Sequence, residues 1–151
     1  MPIQTCTVAI VGATGAVGRE ALSILHNRGV ARDRIIALAS ERSAGSHIPY
    51  GAAHLTVAPL DGRSAARAFQ RADIALFCAD ADTSRRFVPV AVGHGALVVD
   101  NSSAFRMDPT VPLIIPEVNG SLLDAGAEVV ATPNCSTILL LVAIEPPRRS
   151  F

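Results

Sequence analysis

Aromatic residues are scarce in this chain of 151 residues. It has no tryptophan, one tyrosine and five phenylalanines, only 4% aromatic, although half of the residues are apolar. The interior must therefore be built from Ala, Val, Leu and Ile, which suits a buried parallel sheet covered by helices. The length suits one domain with a substantial core. Net charge is also missing: 13 basic and 13 acidic residues cancel. That leaves no electrostatic footprint for nucleic acid or an anionic membrane, and little protection against self-association. The longest uninterrupted apolar run covers residues 138–144, far short of the roughly 20 residues that span a bilayer. No charged start leads into an apolar stretch at the N-terminus, so no signal peptide is expected. The three cysteines, Cys6, Cys78 and Cys135, are odd in number and widely spaced, which argues against a disulfide framework and for a reducing compartment. His26, His47, His54 and His94 are scattered, without the spacing of a metal site. These absences lead to the expectation of a cytoplasmic protein without a bound metal.

What is present is an alternation of short β-branched runs and helical spacings. Strands are expected over residues 6–11, 34–39, 73–78, 96–99 and 128–131. Helices are expected over 19–28, 64–69 and 84–94, near Leu122, and from Cys135 through the apolar run to a stop at Pro146-Pro147. Residues 47–59 read as a hairpin or edge strands. The order predicts an α/β fold: a Rossmann-like, doubly wound, mostly parallel sheet with helices on both faces.

The first strand runs into Gly12-Ala13-Thr14-Gly15-Ala16-Val17-Gly18. In a strand-turn-helix setting, G-x-x-G-x-x-G is a variant of the dinucleotide fingerprint. Gly12 permits the turn, Gly15 lets the backbone approach a pyrophosphate, and Gly18 allows close packing of the helix. The phosphates would sit against unpaired N–H groups at the helix start. The second strand ends in Ser40-Glu41-Arg42-Ser43-Ala44-Gly45. An acidic residue there suits the ribose hydroxyls of NAD, whereas an arginine suits the 2′-phosphate of NADP. Arg42 between serines favours NADP, because a guanidinium matches a phosphate with two parallel bonds. The loop holding Thr83 lies at the carboxyl end of a strand, where such sheets bind ligands. Arg106, in the polar loop 101–109, is a candidate anion clamp. Thr132-Pro133-Asn134-Cys135-Ser136-Thr137 reads as a loop that delivers a thiol to the first turn of a helix, a place whose partial positive charge favours thiolate over thiol.

Taken together and in order, these motifs resemble the N-terminal part of the aspartate-β-semialdehyde dehydrogenase family, over nearly the whole chain. The resemblance rests on residues 11–18, 38–45 and 99–106, on Pro116-Glu117-Val118-Asn119, and on Pro133-Asn134-Cys135-Ser136-Thr137. It implies reductive dephosphorylation of β-aspartyl phosphate by NADPH, a step toward lysine, threonine and methionine. On this resemblance Cys135 is the nucleophile that forms a thioester, and Asn134 orients and stabilises the acyl oxygen. Arg106 binds phosphate. Gly12, Thr14, Gly15, Ala16 and Val17 form the pyrophosphate turn, Arg42 and Ser43 meet the 2′-phosphate, and Ser40 and Thr83 join the cofactor contacts. The resemblance further implies that residues 1–134 form the NADP-binding domain and 135–151 begin a catalytic and dimerisation domain. Longer, homo-oligomeric family members carry a general acid/base histidine and a substrate-binding arginine in that second domain. A truncated chain lacking these is expected to turn over poorly. Two alternatives stay open: a non-catalytic NADP-binding fragment, and a related acyl-phosphate reductase such as N-acetyl-γ-glutamyl-phosphate reductase. Residues 38–45 and 133–137 favour the aspartate family.

Overall fold

The computed structural model describes residues 2–123 and 126–150. Strand β1 (Val8–Val11) is buried along its length. Alternation sends Val8 and Ile10 into one core cluster and Ala9 and Val11 into another. Helix α1 (Ala16–Asn27) follows, then β2 (Ile35–Ala39). Strands β3 (His47–Tyr50) and β4 (Ala53–Thr56) pair antiparallel as a separate hairpin, as their alternation indicates. Next come β5 (Ala58–Pro59), α2 (Gly62–Phe69), β6 (Ile74–Phe77), α3 (Ala81–Gly93) and β7 (Leu97–Asp100). Helix α4 (Pro116–Asn119), β8 (Val129–Ala131) and α5 (Cys135–Ser150) complete the order.

The main sheet has the strand order β5-β2-β1-β6-β7-β8, and every pairing in it is parallel. This is the expected Rossmann-like class. Residues 112–114 run beside β8, with Leu113 bridged to Ala131. The order reverses at β1, with β2 on one side and β6 on the other. Open α/β sheets bind ligands in the crevice at such a switch point, outside the carboxyl ends of the strands.

One face of the sheet is covered by α2 and α3 around Phe69 and Phe77, whose rings stack at 6.0 Å. The other is covered by α1 and the hairpin around Leu22, Ile48 and Tyr50. The Tyr50 hydroxyl donates to the Val30 carbonyl at 2.7 Å. This second layer touches Ile74 of β6 but covers the rest of that side incompletely: Leu76 and Val99 are half-buried and Leu97 is exposed. Val17 and Ile24 of α1 are exposed as well, so the apolar stripe of that helix is only partly core.

Several boundaries differ from expectation for local reasons. Helix α1 begins at Ala16 because Gly15 serves as its N-cap. Helix α3 begins at Ala81 because the Asp80 side chain accepts from the Thr83 N–H, and Pro89 lies inside the helix. Cys6 and Cys78 fall just outside β1 and β6. Pro146 and Pro147 do not end α5, which continues to Ser150. Proline has a helical φ; what it withholds is an N–H. The last residue of the expected second domain, Phe151, lies outside the described residues.

Candidate functional site

The glycine turn sits at the switch point. Gly12 has φ +82°, and a Cβ built there would stand 2.4 Å from the Cys78 carbonyl oxygen. The turns leaving β1 and β6 therefore touch, backbone to backbone. Gly18 carries α1 onto the same turn: its Cβ would lie 2.3 Å from the Gly12 carbonyl oxygen. No side chain caps α1, so its first-turn N–H groups are available to an anion. Three other helices, α2, α3 and α5, are closed instead. Asp61 caps α2, Asp80 caps α3, and the Asn134 Oδ1 accepts from the Ser136 N–H at 3.0 Å at the start of α5.

Two cavities flank this turn and share Cys78. The first, about 350 Å³, is lined by Gly12, Thr14, Gly15, Ser40 and Thr83, together with Arg86 and Phe87 of α3. The second, about 450 Å³, is mostly apolar; Ala16, Val17, Ile24 and Leu76 line it, with Asn101 and Thr132 at one end. Gly12, Thr14, Gly15, Ser40 and Thr83 thus line one cavity and Ala16 and Val17 the other, an arrangement suited to an elongated ligand. Thr83 faces the first cavity, but its hydroxyl donates to Asp80 at 2.9 Å. The N–H and hydroxyl of Thr83 hold the Asp80 carboxyl below the usual carboxylate range. Arg42 and Ser43 line neither cavity; they lie on the 3-10 turn Glu41–Ser43 directly after Ser40.

A buried polar hub joins the remaining loops. Asp100, at the end of β7, is fully buried. Its carboxylate accepts from the Ser84 hydroxyl of α3 at 2.8 Å, the Ser102 hydroxyl at 2.8 Å and the Ser102 N–H at 3.2 Å. Its carbonyl accepts from the Thr132 N–H at 2.9 Å, and the Thr132 hydroxyl donates to Asn101 Oδ1 at 2.7 Å. Arg106 closes the circuit: Nε donates to the Thr132 carbonyl at 2.8 Å and Nη2 to the Asn101 carbonyl at 3.2 Å. Both partners are neutral carbonyls, so the guanidinium keeps its charge uncompensated and Nη1 uncommitted among the described residues. The sequence offered no signal for this hub, because Ser84, Asp100 and Thr132 meet only through the fold.

Cys135 is the first residue of α5, exposed, two residues beyond the buried Pro133. Its Sγ lies 3.8 Å from Asn134 Oδ1. That oxygen also takes the Ser136 hydroxyl at 2.6 Å, so the amide oxygen of Asn134 acts as a helix cap and its Nδ2 is left as the donor. The structure brings Arg106 and the Cys135 loop together through Thr132. The other two thiols are placed differently: Cys6 is buried, and burial, reinforced by Asp100, pushes the Cys78 thiol up to about 11. No histidine lines either cavity. A further cavity, about 540 Å³ beside residues 109–112 and 126–129, contains none of these groups. The described residues contain no acid–cysteine–histidine cluster able to hold a metal, and no helix long and apolar enough to cross a membrane.

Comparison with known proteins gives a family match. Residues 7–125 match the family described as semialdehyde dehydrogenase, NAD binding domain. The aspartate-semialdehyde dehydrogenase of Bacillus subtilis is 44% identical over 144 residues, covering 95% of this chain and 40% of the relative. That of Aquifex aeolicus is 44% identical over 141 residues, covering 92% and 41%. Among solved structures, aspartate semialdehyde dehydrogenase II of Vibrio cholerae complexed with ASA superposes with TM-score 0.84 at 38% identity, covering 95% of this chain and 46% of that one. The chain thus spans less than half the length of these relatives.

Proposed function

The chain belongs to the semialdehyde dehydrogenase family, carrying its NAD-binding domain, and from that premise we propose that it serves the NADPH-dependent reductive dephosphorylation of β-aspartyl phosphate to aspartate semialdehyde, through a thioester on Cys135. The observation that carries this reading is the link between Arg106 and the Thr132 carbonyl, three residues before the thiol. It ties an uncompensated cation to the nucleophile's loop, at the carboxyl edge of the sheet that also holds the open glycine turn. The relative solved with ASA supports the same substrate class.

The residues present fit a dinucleotide. The uncapped start of α1, the backbone approach at Gly12 and Gly15, and the two cavities meeting at Cys78 form a cradle that side chains would fill. We assign Gly12, Thr14 and Gly15 to the pyrophosphate, and Ala16 and Val17 to the nicotinamide side. Ser40 and Thr83 belong to the adenosine side, with Arg42 and Ser43 over its 2′-phosphate. When bound, NADPH supplies a hydride to the acyl carbon. The chain's own groups do the rest. The Cys135 thiolate attacks the acyl carbon of the aspartyl phosphate. The bond from that carbon to the phosphate oxygen breaks, and phosphate leaves with the electron pair toward Arg106. Asn134 Nδ2 donates to the acyl oxygen as negative charge develops there. When the aldehyde carbonyl re-forms, the carbon–sulfur bond breaks and Cys135 returns as thiolate. Splitting the reduction in this way replaces one hard step with two easier ones. The functional boundary falls between residues 134 and 135, where the cofactor-binding part meets the nucleophile's helix.

The test is direct. Incubation with β-aspartyl phosphate, followed by peptide mass spectrometry, should show an acyl adduct on the Cys135 peptide and none in Cys135→Ser. An adduct on Cys6 or Cys78, or none on Cys135 in protein that binds NADPH, would exclude the thioester role.

A further inference from the structure

The proposed reaction gives no part to Pro116-Glu117-Val118-Asn119, the four residues of α4. We infer that Asn119 is a positioning residue for Cys135: its carboxamide fixes the backbone beside the strand that leads to the thiol, while its own helix braces the helix that the thiol begins. This rests on the reading of Cys135 as the nucleophile.

Three observations carry the inference. First, the carboxamide is used at both ends. Its Oδ1 accepts from the Ile115 N–H at 2.8 Å, and its Nδ2 donates to the Leu113 carbonyl at 3.0 Å. A carboxamide offers an acceptor and donors together, which neither a carboxylate nor a hydrocarbon side chain does. Second, the segment it grips is the one that pairs with β8. The Ile114 N–H donates to the Ala131 carbonyl at 2.9 Å, and the Ala131 N–H donates to the Pro112 carbonyl at 3.0 Å. Successive peptide groups of an extended chain point to opposite edges. Strand β8 therefore takes one edge of residues 112–115 and the Asn119 side chain takes the other. Ala131 ends β8, and Cys135 follows four residues later. Third, α4 packs against α5, so the same short element meets the chain on both sides of the thiol. A helix of four residues has little stability of its own. The Asn119 N–H bonded to the Ile115 carbonyl at 2.9 Å and the two carboxamide bonds tie it to the segment beside β8. Acyl transfer needs the sulfur aligned on one carbon, and a displacement of about 1 Å can cost about 100-fold in rate. A small alkylating agent makes no such demand on an exposed thiol, and Cys135 is exposed.

The experiment compares two reactions of the same sulfur in the chain, Asn119→Ala and Asn119→Asp: acylation by β-aspartyl phosphate and alkylation by iodoacetamide, each followed on the Cys135 peptide by mass spectrometry. Asn119→Ala should slow acylation by about tenfold or more while alkylation stays within about threefold. NADPH affinity should be unchanged, because the glycine turn lies on other strands. Asn119→Asp keeps the acceptor for Ile115 and loses the donor to Leu113, so its acylation rate should fall between the two; it carries the comparison by itself if Asn119→Ala does not fold. Equal slowing of both reactions would mark a general loss of structure around the thiol and overturn the inference alone. Unchanged acylation in both variants would do the same. If the unsubstituted chain is never acylated on Cys135, the nucleophile reading falls and takes this inference with it.

Discussion

Replacing Gly18 with alanine separates two opposite expectations. Glycine in a helix interior costs about 0.8–1.0 kcal/mol relative to alanine. Gly18 lies in the first turn of α1, so Gly18→Ala ought to stabilise the protein if local propensity decided the matter. The geometry says otherwise. The new Cβ would stand 2.3 Å from the Gly12 carbonyl oxygen, 2.8 Å from Ala13 Cα and 2.9 Å from the Gly12 carbonyl carbon. Ordinary contact begins at 3.4 Å, so the helix must retreat by about an ångström, and every obstructing atom is backbone that no rotamer change can clear. Overpacking of a well-packed site costs about 1–3 kcal/mol. A purely backbone clash belongs at the upper end, and after the propensity gain the net loss should be about 2 kcal/mol. Gly93→Ala is the internal control. Gly93 closes α3, and a Cβ there meets nothing within 4 Å, so that variant should be neutral or gain up to about 1 kcal/mol. Urea unfolding at 25 °C measures both. NADPH titration of Gly18→Ala should also show at least tenfold weaker binding, because the retreat carries the first-turn N–H groups away from the turn. If Gly18→Ala is as stable as Gly93→Ala and binds NADPH normally, α1 does not lean on the glycine turn and the account of the cradle is wrong.

The Asp100 hub gives a stability prediction. Asp100→Ala removes three hydrogen bonds and leaves the fully buried Ser84 hydroxyl without its acceptor; the expected loss is about 3–5 kcal/mol, and a loss below 1 kcal/mol in urea unfolding would contradict the hub. The thiols should label in the order of their exposure, with iodoacetamide at pH 8 modifying Cys135 well before Cys6 and Cys78; comparable rates from peptide mapping would remove the basis for treating Cys135 as the accessible nucleophile. Cys78 has its own pH signature. Its pKa is raised in the fold from 9.0 to about 11, so the folded state holds this proton more tightly than the unfolded chain. Its contribution is complete below pH 9 and is lost as pH rises through about 11, and Cys78→Ala should flatten the fall in stability across that window.

The glycine turn shows how far local pattern carries. Gly12-x-x-Gly15-x-x-Gly18 after a β-branched run was enough to place a strand, a turn and a following helix, though not the helix's first residue, because each glycine answers to backbone geometry a few residues away. The thiol at the start of α5 was legible for the same reason: Pro133-Asn134 ahead of an apolar run is a local signal. Boundaries failed where side chains decide. The Asp80 cap moved the start of α3, and Pro146-Pro147 did not stop α5. Only the packing of α3 against the sheet brings Arg86 to the cavity that Ser40 lines.

Chain order and periodicity by themselves determined the class of fold, the glycine turn and the place of the thiol at a helix start, since these depend on contacts within a few residues. The tertiary structure decided which distant groups meet. Asp100, Ser84, Ser102 and Thr132 are joined by hydrogen bonds whose partners lie up to 32 residues apart, and the Arg106 guanidinium reaches a carbonyl 26 residues on. Parallel strands place their carboxyl ends side by side regardless of the length of chain between them, so the site is assembled from loops that no local pattern could bring together.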